Sequence, residues 1–353
     1  MELETAASTI EISDSGIVIR WSDGARSRFN SVWLRHNCSS AADVSELNPD
    51  IWVMDAFTND EGDLELEFSD GHESIFTFDH LRSNSHEPHD RRGKPRLISH
   101  FRAGHDFDSF DLPEFASESH GDLLESVARW GAAIVSNVST ESDLALLSQL
   151  FGGTGVSEVL AERELTMSPS TNEPFRHTPP GLLVQQCIDV VDTAGEVILV
   201  DGFGIAADLQ DDDPDLFDHL AETSIPFLRD DGDAHLLAHG PVISLDRDYE
   251  VAGIRFDETS VASLDLDPGV VGEYYRALIA FAAEVNNPGR AVQVRLTPAN
   301  ALVVENHRVL HSTSGFGLLR SAVIDRDLFH GQLRCLRRDL ERPNLDERLP
   351  QAR

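Results

Sequence analysis

The stretch from Ser168 to Leu182 constrains this chain most. It carries a close set of polar side chains, Ser170, Asn172, Glu173, Arg176 and His177, and ends on the turn signal Pro179-Pro180-Gly181. A mostly apolar run, Leu183 to Ile188, follows, and then Val197-Ile198-Leu199-Val200-Asp201-Gly202-Phe203. Far downstream lies Glu305-Asn306-His307-Arg308-Val309-Leu310-His311. An extended polar segment is thus closed by a turn and a buried strand, and a late histidine returns to the same place.

The rest of the chain supplies strands for such a core. Ile17 to Trp21 runs into Ser22-Asp23-Gly24, and Leu64 to Phe68 alternates at period two before Ser69-Asp70-Gly71. These two Asp-Gly turns predict hairpins, and residues 1–90 read as a small all-β module. A polar stretch with His86, Pro88, His89 and Gly93 reads as loop, and residues 91–110 as a linker. The second domain is expected over 111–353. Its predicted helices are Asp122–Trp130, Glu141–Phe151, Gly204–Leu220, Pro268–Val285 and Asp327–Arg338, set among many short strands. Non-consecutive strands with few helices predict a mainly β fold with helices (α+β), a sandwich or jelly roll.

Charge narrows the partners. The 353 residues carry a net charge of -34, which repels nucleic acid and anionic membranes. No apolar run approaches the ~18 residues of a membrane span, and Met1 to Ile10 lacks the features of a signal peptide, so a cytoplasmic protein is expected. Cys38, Cys187 and Cys335 fall at neither metal nor redox spacing.

Specific motifs carry a resemblance. Trp33-Leu34-Arg35-His36-Asn37-Cys38, Asp70-Gly71-His72-Glu73-Ser74 and Leu81-Arg82 resemble the N-terminal domain of γ-butyrobetaine and trimethyllysine hydroxylases. Pro179-Pro180-Gly181-Leu182, Val200-Asp201-Gly202-Phe203 and Asn306-His307-Arg308-Val309-Leu310-His311 resemble their catalytic domain, of the TauD-like Fe(II)/2-oxoglutarate oxygenases. The resemblance implies a distorted double-stranded β-helix, a homodimer and a two-histidine-one-carboxylate iron site. The family pattern His-Thr-Asp-Asn-Pro-Tyr-Arg falls on Ser170 to Arg176, with Leu160-Ala161-Glu162 in support. Ser170 then replaces the first histidine, Asn172 the aspartate, and His311 is retained. A rival register starting at His177 would put Pro179 at the carboxylate position.

Other implied roles are altered too. Glu162 and Phe175 stand where two cage tyrosines would be, so a trimethylammonium substrate is not expected. Arg320 is the best match to the arginine that holds the distal carboxylate of 2-oxoglutarate, and Arg176 is a second carboxylate-binding candidate. Cys38 and His72 match two of four zinc positions, so no zinc is expected. The leading expectation is a non-oxidative enzyme without metal or other cofactor. It would use His311, Glu162, Ser170 and Asn172 for acid–base chemistry and Arg320, Arg176 and Phe175 to hold a small polar metabolite. The alternatives are a ligand- or partner-binding pseudoenzyme and a divergent Fe(II)/2-oxoglutarate oxygenase.

Overall fold

The computed structural model describes residues 7–38, 44–85, 98–112, 120–153, 159–161, 168–191, 195–232 and 235–341. They fall into two compact units, 1–96 and 97–353.

In the first unit, β1 (Ala7–Ser13), β2 (Gly16–Trp21) and β3 (Arg26–Asn30) form one antiparallel meander. A second contains β4 (Val53–Thr58), β5 (Leu64–Phe68) and β6 (Glu73–Phe76). Both predicted Asp-Gly hairpins form, joining β2 to β3 and β5 to β6. The unit is not all-β. Ser31–His36 is a helix, α1, because the Asn30 side chain caps the Val32 N–H. Thr77 does the same for α2 (Phe78–Ser83). Ile19, Trp21, Leu34, Leu64, Leu66 and Phe68 are among the residues filling the core.

The second unit begins earlier than the sequence suggested. Phe101 and Phe107, inside the expected linker, are buried in its core, and β7 (Ser109–Asp111) pairs in parallel with β8 (Ala132–Ser136). Helix α3 (His120–Trp130) precedes β8, and α4 (Glu141–Leu150) follows it under a Thr140–Asp143 capping box. Then come β9 (Val159–Ala161), β10 (Leu182–Val190) and β11 (Gly195–Asp201). The single helix expected from Gly204 is two, α5 (Gly202–Asp212) and α6 (Pro214–Glu222). Asp213 ends the first and caps the second, with Pro214 at its first position, where a missing N–H costs nothing. Two hairpins follow, β12 (Ile225–Asp230) with β13 (His235–Gly240) and β14 (Ile243–Leu245) with β15 (Val251–Ile254). Helix α7 (Pro268–Val285), β16 (Val292–Leu296), β17 (Asn300–Glu305), β18 (Val309–Ser314), β19 (Phe316–Ile324) and α8 (Arg326–Glu341) complete the described residues.

Two sheets carry the architecture. One runs β7-β8-β17-β10-β19-β9 and the other β16-β11-β18. Each strand divides its side chains between two cores, as a period of two requires. In the larger sheet, Ala133, Val135, Leu182, Val184, Ala322 and Ile324 meet Leu123, Val127, Leu147 and Phe329 of the helices. Their neighbours Ala132, Cys187, Leu302, Val304 and Leu319 face inward against Val197, Leu199, Val292, Val294 and Val309 of the smaller sheet. The outer face of the smaller sheet, at Val200 and Leu310, is covered by α5, α6 and α7.

Candidate active site

Strand β18 is the edge of the smaller sheet, and one residue of the stretch 168–181 pairs with its free side. The Ser170 N–H donates to the His311 carbonyl at 3.1 Å, and the His311 N–H to the Ser170 carbonyl at 3.0 Å. Residues that exchange both bonds in an antiparallel pair carry their side chains on the same face. His311 lies opposite Leu199 and two residues from Val309, both in the inter-sheet core. Ser170 and His311 therefore face the space between the sheets. The His311 ring is buried, with Nδ1 3.4 Å from the Val309 carbonyl. His177 is exposed and far along the turn, and its carbonyl accepts from Arg255 Nη2 at 3.0 Å.

Two anchors fix this strap. Buried Thr171 turns away from the site, donating through Oγ1 to the Ile254 carbonyl at 3.1 Å and accepting from the Phe256 N–H at 3.0 Å. Asn306, fully buried, ties both ends. Its Oδ1 accepts from the Asn172 N–H at 2.7 Å, and its Nδ2 donates to the carbonyls of Asn172 at 3.0 Å and Pro180 at 2.9 Å. Gly181 is needed beside it, since a Cβ there would clash with the backbone nitrogen of Arg326. The Asn172 side chain follows Thr171, and its buried Oδ1 has no hydrogen-bond partner among the described residues. Asn306→Ala is expected to cost about 2–4 kcal/mol in guanidinium unfolding, from three lost bonds and the carbonyls they leave unpaired.

A buried ion pair holds the neighbouring strands. Arg308 Nε reaches Asp201 Oδ1 at 3.1 Å and its Nη2 reaches Oδ2 at 2.9 Å, with exposures of 0% and 1%. Arg308 also donates to the carbonyls of Ser99 and Arg129. Asp201 accepts from the Phe101 and Phe203 N–H groups, the latter as N-cap of α5. Gly202 follows because a Cβ would sit 2.8 Å from the Arg308 carbonyl oxygen. Burial alone would raise the Asp201 pKa, but Arg308 and His100 outweigh it and bring it down to about 2. Its contribution to stability is therefore complete above the unfolded value of about 4 and lost as pH falls toward 2. Acid unfolding followed by circular dichroism should show this loss between about pH 4 and pH 2, and the loss should be absent from Asp201→Asn.

The remaining candidates are dispersed. Phe175 is packed into the helical core beside Val200 and Phe203, with the Arg229 guanidinium 5.6 Å from its ring centroid. Arg176 is half exposed and pairs with Glu173 at 2.6 Å. Arg320 alternates with Leu319 and shares the helix-covered face with Ala322. Its Nη1 lies 3.4 Å from Gln186 Oε1. It does not face His311, so its expected role as a clamp inside the fold is corrected by the strand register. Glu162 lies outside the described residues. His307 is partly buried, with Nε2 3.1 Å from the Pro179 carbonyl, and burial lowers its pKa. In the first unit Cys38 Sγ and His72 Nε2 stand 3.5 Å apart. Sequence reasoning missed Asn306 as an anchor, since its burial shows only in the fold.

Two facing sheets with a buried histidine on the inner face and a polar strap beside it define a double-stranded β-helix protein. The sequence matches the family described as Taurine catabolism dioxygenase TauD, TfdA family over residues 94–322, and the chain belongs to that family. Residues 9–82 match the gamma-butyrobetaine hydroxylase-like N-terminal family. The chain is 26% identical to a gamma-butyrobetaine dioxygenase of Pseudomonas sp. (strain AK-1), over 92% of this chain and 94% of that one. It is 27% identical to a mitochondrial trimethyllysine dioxygenase of Gallus gallus, over 82% and 78%. Among solved structures, a candidate alpha-ketoglutarate-dependent taurine dioxygenase from Burkholderia xenovorans shares the fold at TM-score 0.51 and 12% identity, over 64% of this chain and 93% of that one. AAD-2, in complex with Mn(II) and N-oxalylglycine, shares it at TM-score 0.50 and 9% identity, over 64% and 97%.

Membership in a dioxygenase family overturns the expectation that neither Fe(II) nor 2-oxoglutarate is involved. The donors at hand depart from the usual iron set. His311 offers an imidazole, while Ser170 and Asn172 offer neutral oxygens, of which Asn172 Oδ1 is the buried one without a partner. No three His, Cys, Asp or Glu side chains converge as a metal site among the described residues. Two histidines and a carboxylate are therefore not what these positions supply.

Proposed function

We propose that this chain is a divergent Fe(II)/2-oxoglutarate-dependent oxygenase that acts on a small polar metabolite in the space between its two sheets. The observation that carries this reading is the mutual Ser170–His311 hydrogen-bonded pair, which holds the strap in register with the inner-face histidine. His311 is the strong nitrogen donor. Ser170 and Asn172 act as neutral oxygen groups that orient what lies beside it. Metal titration of purified protein, with succinate formation from 2-oxoglutarate measured in the same samples, tests the proposal. Iron binding with succinate release supports it. The absence of both iron uptake and succinate release would sink it.

A second reading, a ligand-binding protein without turnover, is favoured by Ser170 and Asn172 being weak metal donors. Binding of a small molecule without succinate release would select it. In either reading the partner is a small molecule rather than nucleic acid or membrane, in keeping with the charge of -34. No helix among the described residues is long and apolar enough to cross a membrane. We place the protein in the cytoplasm as a homodimer, which light scattering would check.

A further inference from the structure

Two polar side chains on the inner face of the larger sheet carry buried atoms without a hydrogen-bond partner among the described residues. Gln185 of β10 and Ser321 of β19 are directly paired across the two strands. They alternate with Val184 and Ala322, which lie in the helix-covered core, so both face inward. Their register neighbours agree, since Leu302, opposite Gln185, and Leu319, two residues before Ser321, belong to the inter-sheet core. Gln185 is 3% exposed and Ser321 4%. Neither the Gln185 Oε1 nor the Ser321 Oγ has a hydrogen-bond partner among the described residues. Leaving a buried polar atom unpaired costs on the order of 1–3 kcal/mol, and here two such atoms are neighbours.

The same face is open beside them. Val323, two residues beyond Ser321 and on the same side of β19, is 41% exposed, although its register partner Leu183 is buried. A ligand that enters past Val323 would meet the Gln185–Ser321 pair while its other end lies within the space that His311 also faces.

The charges carried by the two sheets bear on the class of ligand. Among the described residues of these two sheets, the only arginines are Arg295 and Arg320, and there is no lysine. Arg320 lies on the helix side with Ala322. Arg295 alternates with the inward-facing Val294 and Leu296, so it points outward. No guanidinium from either sheet therefore meets a carboxylate at the Gln185–Ser321 pair. An unpaired carboxylate is costly to bury, and it offers acceptors only. The pair presents a carboxamide and a hydroxyl, which together donate and accept. A primary amide of the ligand can give its N–H to the Gln185 oxygen and take the Ser321 hydroxyl proton on its own oxygen.

We infer that Gln185 and Ser321 form a recognition site for the uncharged polar end of the ligand, a primary carboxamide in preference to a carboxylate. The inference rests on the proposed use of the inter-sheet space for a small metabolite, but not on any oxidation there.

The experiment uses butyrate and butyramide, which differ only at one end and lack the two-carboxylate skeleton of 2-oxoglutarate, titrated into metal-free full-length protein and followed by ligand-detected NMR. The wild type should bind butyramide at least about 10-fold more tightly, equivalent to about 1.4 kcal/mol, the scale of one hydrogen bond. Ser321→Ala and Gln185→Leu should each remove most of that preference. Should either variant fail to fold, the glutamine side-chain amide resonances of the wild type provide a second reading. One glutamine NH₂ pair should shift with butyramide and not with butyrate. Equal or tighter binding of butyrate overturns the inference, as does binding of neither compound or a preference that survives both substitutions. Because no turnover is measured, an amide preference together with an absence of succinate formation would remove the oxygenase reading and leave this one standing.

Discussion

The double variant Ser170→His/Asn172→Asp is expected to bind Fe(II) at least about 100-fold more tightly than the parent chain. Loss of supporting residues alone typically changes metal affinity by 10–100-fold, and here two direct donors are exchanged. The expectation follows from position. Ser170 shares a face with His311 because the two exchange both backbone bonds. Asn172 follows two residues later on a strap whose backbone Asn306 fixes. An imidazole and a carboxylate at these places would complete a set of two nitrogens and one carboxylate around His311. Each single variant should fall between parent and double. Equilibrium dialysis against Fe(II) under anaerobic conditions reads the effect. An unchanged affinity would show that residues 170 and 172 do not border the metal position, and the register through Ser170 would have to be abandoned.

Asp201→Ala should destabilise the second unit by about 3–5 kcal/mol, because it leaves the Arg308 guanidinium buried without its carboxylate. For a unit of this size that corresponds to a fall in Tm of roughly 10 °C. Loss of the α5 N-cap at Phe203 adds to it. Replacing both partners, as Asp201→Leu/Arg308→Met, should cost clearly less than the single change, since no charge is then stranded. A double variant as unstable as Asp201→Ala would instead mean that the hydrogen bonds from Arg308 to Ser99 and Arg129 matter more than the charge. Calorimetry of the three proteins separates these outcomes.

Much of the fold was legible because its signals are local. Pro268–Val285 was predicted to the residue from a proline at the start, a long amphipathic run and Asn286 at the end. Val292–Leu296 alternates at period two and forms β16 over that full length. The helix at Ser31–His36 was missed because its cap, Asn30, lies at the end of a strand and outweighs its Trp33-Leu34 content. The hairpin β12–β13 was not seen either. Its loop falls in the acidic run after Asp230, which reads as solvated surface. The start of the second unit was misplaced for a different reason. His100, Phe101 and Ser99 are held by Asp201 and Arg308, a hundred or more residues away, and no window of sequence contains both sides of that contact.

The site divided along the same line. The pairing of Ser170 with His311 could be placed from motif order. The face of a side chain could not, because a strand's two sides are told apart only by what covers them. Arg320 is the case in point. Its match to the family's carboxylate-binding arginine suggested a clamp, and its register turns it toward the helices. Gln185, hidden in an apolar run, drew no notice until its neighbours showed which way it faced.

The way the strap is tied has a consequence for how this chain can change over generations. Every described bond that holds Ser170 and Asn172 in place uses their backbone atoms, with Asn306 and the His311 main chain as partners. Nothing in that tethering reads the two side chains. In small metal-dependent domains the ion and the fold are acquired together, so losing a donor unfolds the protein. Here the donors at 170 and 172 can be exchanged while the loop keeps its shape. The architecture thus leaves these two positions free to explore new chemistry in a population without first losing the folded protein that would have to perform it.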